Sequence, residues 1–234
     1  MLLTTKKTRP LSSDDREQDT IKLRAVWKNI NYFSCPHNYN FHLHTSCSDG
    51  QLTPELLVEQ ALSIGLQGFA ITDHHSVKGF DRARNYLREK SHHHTGLPHL
   101  WTGIEITSEL NGTNVHILGY GFNPEVHNLQ KYLTGNAPVG KDAQAKNVIK
   151  TLHQAGGLVV LAHPARYRRS AEELITEAYS LGIDGVETYY AYTNPNPWQP
   201  SKNQTSIVKS MAKKYNLYTT CGTDTHGSNI LVRL

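Results

Sequence analysis

Long apolar runs are missing from this chain. No stretch approaches the ~20 residues that a membrane-spanning helix requires, and the start, MLLTTKKTRPLSSDDREQDT, turns polar after two leucines instead of forming the apolar core of a secretory signal. Cysteine is also scarce. Cys35, Cys47 and Cys221 are odd in number and lack C-x-x-C spacing, which argues against a disulfide framework and against a thiolate metal site. A large excess of one charge is absent as well. The net charge is +4, Lys and Arg are scattered, and the densest basic group is the short set Arg166, Arg168 and Arg169, so the sequence carries no strong nucleic-acid signal. These absences lead to the expectation of a cytoplasmic protein with no membrane partner.

What is present is a chain of 234 residues with 38% hydrophobic and 19% charged residues, enough for one large domain with its own core. Histidine is the anomaly, at fourteen residues, several of them beside acidic residues. Residues 1–25 are polar and read as a flexible segment; 26–234 read as a single domain. Within it, apolar runs alternate with helical periodicity. Strands are expected at 41–45, 68–72, 99–107, 115–122, 158–164, 185–190 and 217–224. Helices are expected at 53–65, 80–90, 141–157, 171–182 and 201–216, the first with Thr53 as N-cap, Pro54 at its first position and Gly65 at its end. Alternating strands and helices with short connections point to an α/β fold, open or closed.

Ligand-type residues recur where these strands end, which in α/β folds is where sites are built. His42 and His44 alternate onto one face of a strand, with Asp49 five residues on. Two satisfied histidines and an ordinary turn are the plain alternative. Asp73 and His74 close an apolar strand, where a helix-capping Asp is the alternative. Glu105 interrupts Gly103-Ile104-Glu105-Ile106, and an unpaired carboxylate there would be costly unless it bridged metal ions. His116 follows the Asn111-Gly112 turn, with a core histidine as its alternative. His163 and the pair Asp224 and His226 end two further strands. Nitrogen and oxygen donors without thiolates suit Zn²⁺, Mn²⁺ or Fe²⁺. The run His92, His93, His94 with His99 reads as a solvated polar loop.

The ordered motifs F-H-L-H-T-S-C-S-D-G, I-T-D-H-H, G-I-E-I with V-H-I-L-G-Y, L-A-H-P-A-R-Y and G-T-D-T-H-G resemble those of the PHP (polymerase and histidinol phosphatase) superfamily, from Phe41 to Gly227. The stand-alone phosphoesterase branch is the best match. The resemblance implies a distorted (β/α)7 barrel with a trinuclear metal centre at the C-terminal ends of its strands. His42, His44, Glu105 and Asp224 would hold one ion. Glu105 would bridge to a second ion held by His116 and His163, and Asp49, His74 and His226 would hold a third. His75 stands where the motif commonly carries Asp, outside those nine positions. The helical cap found in similar stand-alone members has only 121–140 left for it, a stretch with two prolines and three glycines.

The expected activity is hydrolysis of a phosphate ester by a metal-activated water, using two or three divalent ions. The substrate would be a nucleotide or a small phosphorylated metabolite. Arg166 would clamp a phosphate oxygen, with a solvated surface Arg as its alternative. Asp73 would orient a ligand imidazole or shuttle a proton. Alternatives are a nuclease or pyrophosphatase, and a metal-bound interaction module without turnover. The loop around Trp198 is a candidate wall for stacking a base, with a plain loop as its alternative.

Overall fold

The computed structural model describes residues 18–91 and 96–234. The His92–His94 run and residues 1–17 of the segment expected to be flexible lie outside the described residues. Residues 20–25 of that segment depart from expectation. They open helix α1 (Thr20–Trp27), which Asp19 caps by accepting from the Lys22 amide at 2.9 Å. The helix forms because Leu23 and Trp27, one turn apart, both have a core to enter. Trp27 packs edge-on against Phe41 and Tyr120, with Tyr218 also in contact. Burying a side chain of this kind contributes on the order of 1.5–3 kcal/mol.

The remaining order is β1 (Tyr39–Asn40), α2 (Pro54–Ile64), β2 (Gly68–Ala70), α3 (Lys78–Lys90), β3 (His99–Trp101), β4 (Gly103–Leu110), β5 (Thr113–Tyr120), α4 (Ala145–Gln154), β6 (Leu158–Leu161), α5 (Ala171–Ser180), β7 (Gly185–Tyr189), α6 (Lys202–Tyr215) and β8 (Tyr218–Cys221). Local signals place several ends. Thr53 Oγ1 accepts from the Leu56 amide, Pro54 opens α2, and Gly65 ends it at φ +77°, which favours glycine. Ser170 and Glu173 form a reciprocal capping box on α5. Among the described residues no helix is long and apolar enough to cross a membrane.

The fold is mixed α/β, with the strands in two sheets: β1-β2-β3, all parallel, and β4-β5-β6-β7-β8, in which β5 runs antiparallel to both neighbours. The sheets are not closed into one continuous ladder. Short bridges join their edges at Leu43–Thr225 and His74–Glu105. Two expectations change here. The run 99–107 is not one strand: it breaks at Thr102, β3 pairing with β2 and β4 with β5. Gly103 fits the crossing because a Cβ there would stand 2.4 Å from the Ile71 carbonyl oxygen. Of the expected strand 41–45 only Leu43 forms a bridge, the regular strand lying just before it at Tyr39–Asn40, so that His42 and His44 are on irregular backbone that reaches into the site.

Helices α4, α5 and α6 cover the outer face of the larger sheet, with Val148, Leu152, Ile175 and Val208 meeting Ile104, Ile117 and Val159. The alternate positions Leu118, Tyr120 and Val160 face inward with Phe41, Trp101 and α1. Trp198, read from sequence as a base-stacking wall, belongs to this inner core and is 7% exposed. The stretch 121–140 holds one 3₁₀ turn, His127–Tyr132, which buries Leu129 and Tyr132 instead of rising over the site.

Candidate metal centre

The strands deliver six histidines and three carboxylates to one end of the molecule. The centre is Glu105, on β4 and 1% exposed. Its Oε1 lies 2.9 Å from His116 Nδ1 and 3.4 Å from His163 Nε2. Its Oε2 lies 3.0 Å from His42 Nε2, 3.1 Å from His44 Nε2 and 3.6 Å from His74 Nε2. One carboxylate therefore touches five imidazoles, the arrangement expected of a group that bridges cations.

Asp224, at φ +55° after β8, is divided in function. Its Oδ1 faces inward, 3.4 Å from His42 Nε2 and 3.2 Å from His44 Nε2. Its Oδ2 accepts from Tyr190 Oη at 2.7 Å, Arg233 Nε at 2.9 Å and Arg166 Nη1 at 3.2 Å. On the open side, Asp49 lies 3.2 Å from His226 Nε2, 3.5 Å from His44 Nδ1 and 3.7 Å from His74 Nε2. Tight backbone contact surrounds the ligand-type residues: a Cβ on Gly222 would stand 2.2 Å from the Cβ of His42.

Three groups have donor atoms all within 4.8 Å of one another: His42, His44, Glu105 and Asp224; His74, Glu105 and His116; and His44, Asp49, His74 and His226. All nine expected positions thus converge. Two details differ from the implied sets. His44 and His74 are each shared between groups, and His163 touches Glu105 without joining a group. Several ring nitrogens are buried and make no hydrogen bond, including both of His44 and both of His163. Such orphans are costly in a dry interior. Their clustering with carboxylates fits divalent cations held by nitrogen and oxygen donors.

The electrostatics follow from burial competing with charge. Burial by itself would lower the pKa of His42, but Glu105, Glu187 and Asp224 outweigh it and hold the ring well above its ordinary value. Burial likewise opposes protonation of His44, while the adjacent carboxylates of Asp224 and Glu105 raise it to about 9. His74 is pushed down to about 4, chiefly by burial and by the neighbouring His44 and His116. Burial would raise Glu105 and Asp224, yet the adjacent histidines hold both carboxyls well below the usual range. His42 and His44 thus hold protons beside ionised Glu105 and Asp224, and bound cations would displace those protons.

Asp73 does not orient an imidazole. Its oxygens accept from the Thr45 amide at 2.7 Å, Thr45 Oγ1 at 2.7 Å and Ser48 Oγ at 2.7 Å, which pins the loop that carries Asp49. An approaching chain packs so closely that a Cβ on Gly79 would overlap Asp73 Oδ2 at 1.9 Å. The group that does hold an imidazole is Glu187, on β7, which the sequence reading missed: His42 Nδ1 and Glu187 Oε1 are 2.9 Å apart. Beside the cluster opens a cavity of about 460 Å³ lined by Cys47, Ser48, Asp49, His74, His75, Thr107, His116 and Gly135, within the range of ligand sites. Gly135 closes one side through its amide, which donates to the His75 carbonyl at 2.9 Å.

Comparison with known proteins agrees with this geometry. The PHP domain family model matches residues 40–218, more than half of the chain. A 5'-3' exoribonuclease of Haemophilus influenzae is 24% identical over 258 aligned positions, covering 80% of this chain and 89% of that protein. A 3',5'-nucleoside bisphosphate phosphatase of Chromobacterium violaceum is 31% identical over 87 residues, 37% of this chain and 28% of that protein. A solved structure from Bifidobacterium adolescentis, assigned by inference to the metal-dependent phosphoesterases, superposes with a TM-score of 0.67 at 25% identity, over 82% of this chain and 89% of that one.

Proposed function

The chain belongs to the PHP domain family, and we propose that it hydrolyses phosphate esters with the help of divalent metal ions, its substrate being a nucleotide or the phosphorylated end of a nucleotide chain. One observation carries this reading: Glu105 lies at the centre of five imidazoles, beside an open polar cavity. We assign His42, His44, Glu105 and Asp224 to one ion, Glu105, His116 and His163 to a second, and Asp49, His74 and His226 to a third, with Zn²⁺, Mn²⁺ or Fe²⁺ as the fitting ions. When bound, such ions neutralise phosphoryl charge and make water acidic enough to attack at neutral pH.

The chain's own residues supply the rest. Glu105 and Asp224 stay ionised and keep the neighbouring imidazoles turned inward. Arg166 is half exposed and touches Asp224 with one nitrogen, so its remaining donors are available to a phosphate oxygen. Asp73 holds the Asp49 loop at the cavity mouth. The same reading treats the bridged sheets as a distorted barrel with the site on its C-terminal rim, in one domain whose cap is reduced to 121–140, working in the cytoplasm.

The named activities of the exoribonuclease and bisphosphate phosphatase relatives support a nucleotide substrate. The reduced cap supports access by chain ends as well as by single nucleotides. The extent of the exoribonuclease match, 80% of this chain, favours a second reading as a nuclease. The test is a panel of an aryl phosphate, a nucleoside 3',5'-bisphosphate and a 5'-phosphorylated oligoribonucleotide, with products resolved by chromatography. Release of inorganic phosphate from the monoesters is expected. Release of nucleoside monophosphates from the oligomer, with the monoesters untouched, would replace the first reading by the second.

A further inference from the structure

We propose that Glu187 is a positioning residue that sets two metal ligands at once, the ring of His42 and the backbone of His163, and that only a carboxylate can do so. The inference rests on the metal-dependent reading above. Glu187 is on β7, 1% exposed, and contributes no atom to the three donor groups. Its Oε1 is 2.9 Å from His42 Nδ1, and its Oε2 accepts from the His163 amide at 2.8 Å.

The chemistry follows from counting protons. A His42 ring whose Nδ1–H donates to Glu187 has its lone pair on Nε2, the nitrogen that faces Glu105 and Asp224. Accepting from Nδ1 therefore selects the tautomer that can ligate. The second bond acts on conformation. His163 sits at φ +26° and ψ +61°, a region costly for a residue with a side chain. Its amide bond to Glu187 is what the backbone gains in return, and it turns the ring towards Glu105 Oε1. His42 and His163 are far apart in the sequence, and one buried carboxylate fixes both.

A glutamine at this position has the same size but only one acceptor. If its oxygen faces His42, its NH₂ meets the His163 N–H, donor against donor. If its oxygen faces His163, its NH₂ donates to His42 Nδ1 and moves the ring proton to Nε2, where it blocks a ligand. An aspartate is shorter but keeps two acceptor oxygens. Acceptor count and size therefore give opposite orders for the two variants.

The experiment compares wild type, Glu187→Gln and Glu187→Asp, each titrated with Zn²⁺ against a competing chelator, with unfolding midpoints measured metal-free. We expect Glu187→Gln to bind at least one ion about 10–100-fold more weakly and Glu187→Asp to retain more metal than Glu187→Gln. A residue that only filled space would give the reverse order. Wild-type affinity in Glu187→Gln, or better binding by Glu187→Gln than by Glu187→Asp, overturns the inference while leaving the metal-dependent reading intact. Failure of the wild type to bind Zn²⁺ overturns both. Nitrogen-15 NMR of the Zn²⁺-loaded wild type is a check that needs no variant: His42 should carry its proton on Nδ1, and a proton on Nε2 overturns the inference.

Discussion

His42 and Glu105 meet at 3.0 Å, Nε2 to Oε2, with both side chains out of contact with solvent. His42 follows β1 and Glu105 is on β4, and burying such a pair is unfavourable unless further charges complete it. Glu105 belongs to two of the three donor groups and touches His44 and His74 of the third. Glu105→Gln should therefore lose more bound metal than any other single ligand change, at least one equivalent. The exposed control His127→Ala should lose none, with atomic emission on desalted protein as the measurement.

Metal uptake should displace protons. In the metal-free chain His44 titrates at about 9, above its ordinary value of 6.5, and His42 is raised in the same direction. Their protonated forms stabilise the metal-free fold fully below pH 6.5, and that contribution is lost as pH rises through about 9. His74, held down at about 4, changes only in the acid range. The metal-free unfolding midpoint should therefore fall between pH 6.5 and 9. Zn²⁺ binding at pH 7.5 should release protons, seen as a dependence of the calorimetric heat on buffer ionisation enthalpy. A heat independent of buffer would contradict the assigned charges.

Arg166→Ala should lower kcat/KM by about 10²-fold, the loss of a bidentate phosphate contact in the transition state. Its metal content should hold, because Tyr190 and Arg233 still donate to Asp224 Oδ2. Arg166→Lys should not restore the rate. Unchanged kinetics would return Arg166 to the role of a partner for Asp224 alone.

Trp198→Ala should act on stability and not on selectivity. The ring is in the inner core with Trp27 and Ala191, so removing it should cost on the order of 3–5 kcal/mol in denaturant unfolding. Nucleotides differing only in base should have kcat/KM values within about tenfold of one another, since among the described residues lining the cavity there is no Phe, Tyr or Trp to stack a base for ~1–3 kcal/mol.

The nine ligand-type positions were legible because a buried strand that ends in His, Asp or Glu is costly unless those groups are paired or bind metal, and the ordered motifs reinforced each one. Helix α2 was legible from Thr53, Pro54 and Gly65. What stayed hidden depended on contacts between distant segments. The break at Thr102 follows from how closely Gly103 approaches Ile71, which no local pattern encodes. Asp73 has the sequence context of a group that orients a ligand imidazole, and only the fold shows Thr45 and Ser48 occupying it. Trp198 lies in a Pro-rich stretch that resembles a surface loop, yet the core cluster around α1 claims its ring. Glu187 carried the same signal that marked Glu105, a carboxylate within an apolar strand, and that signal applied to Gly185-Val186-Glu187 would have found it.

The most direct measurement is phosphate release from a nucleoside 3',5'-bisphosphate by chain stripped of metal and then reloaded stepwise with Mn²⁺. Stripped protein should be inactive, and activity should rise with bound equivalents to a plateau at two or three ions. A fully loaded chain that releases no phosphate would contradict the monoesterase reading, and turnover by the stripped chain would contradict a metal centre built on Glu105.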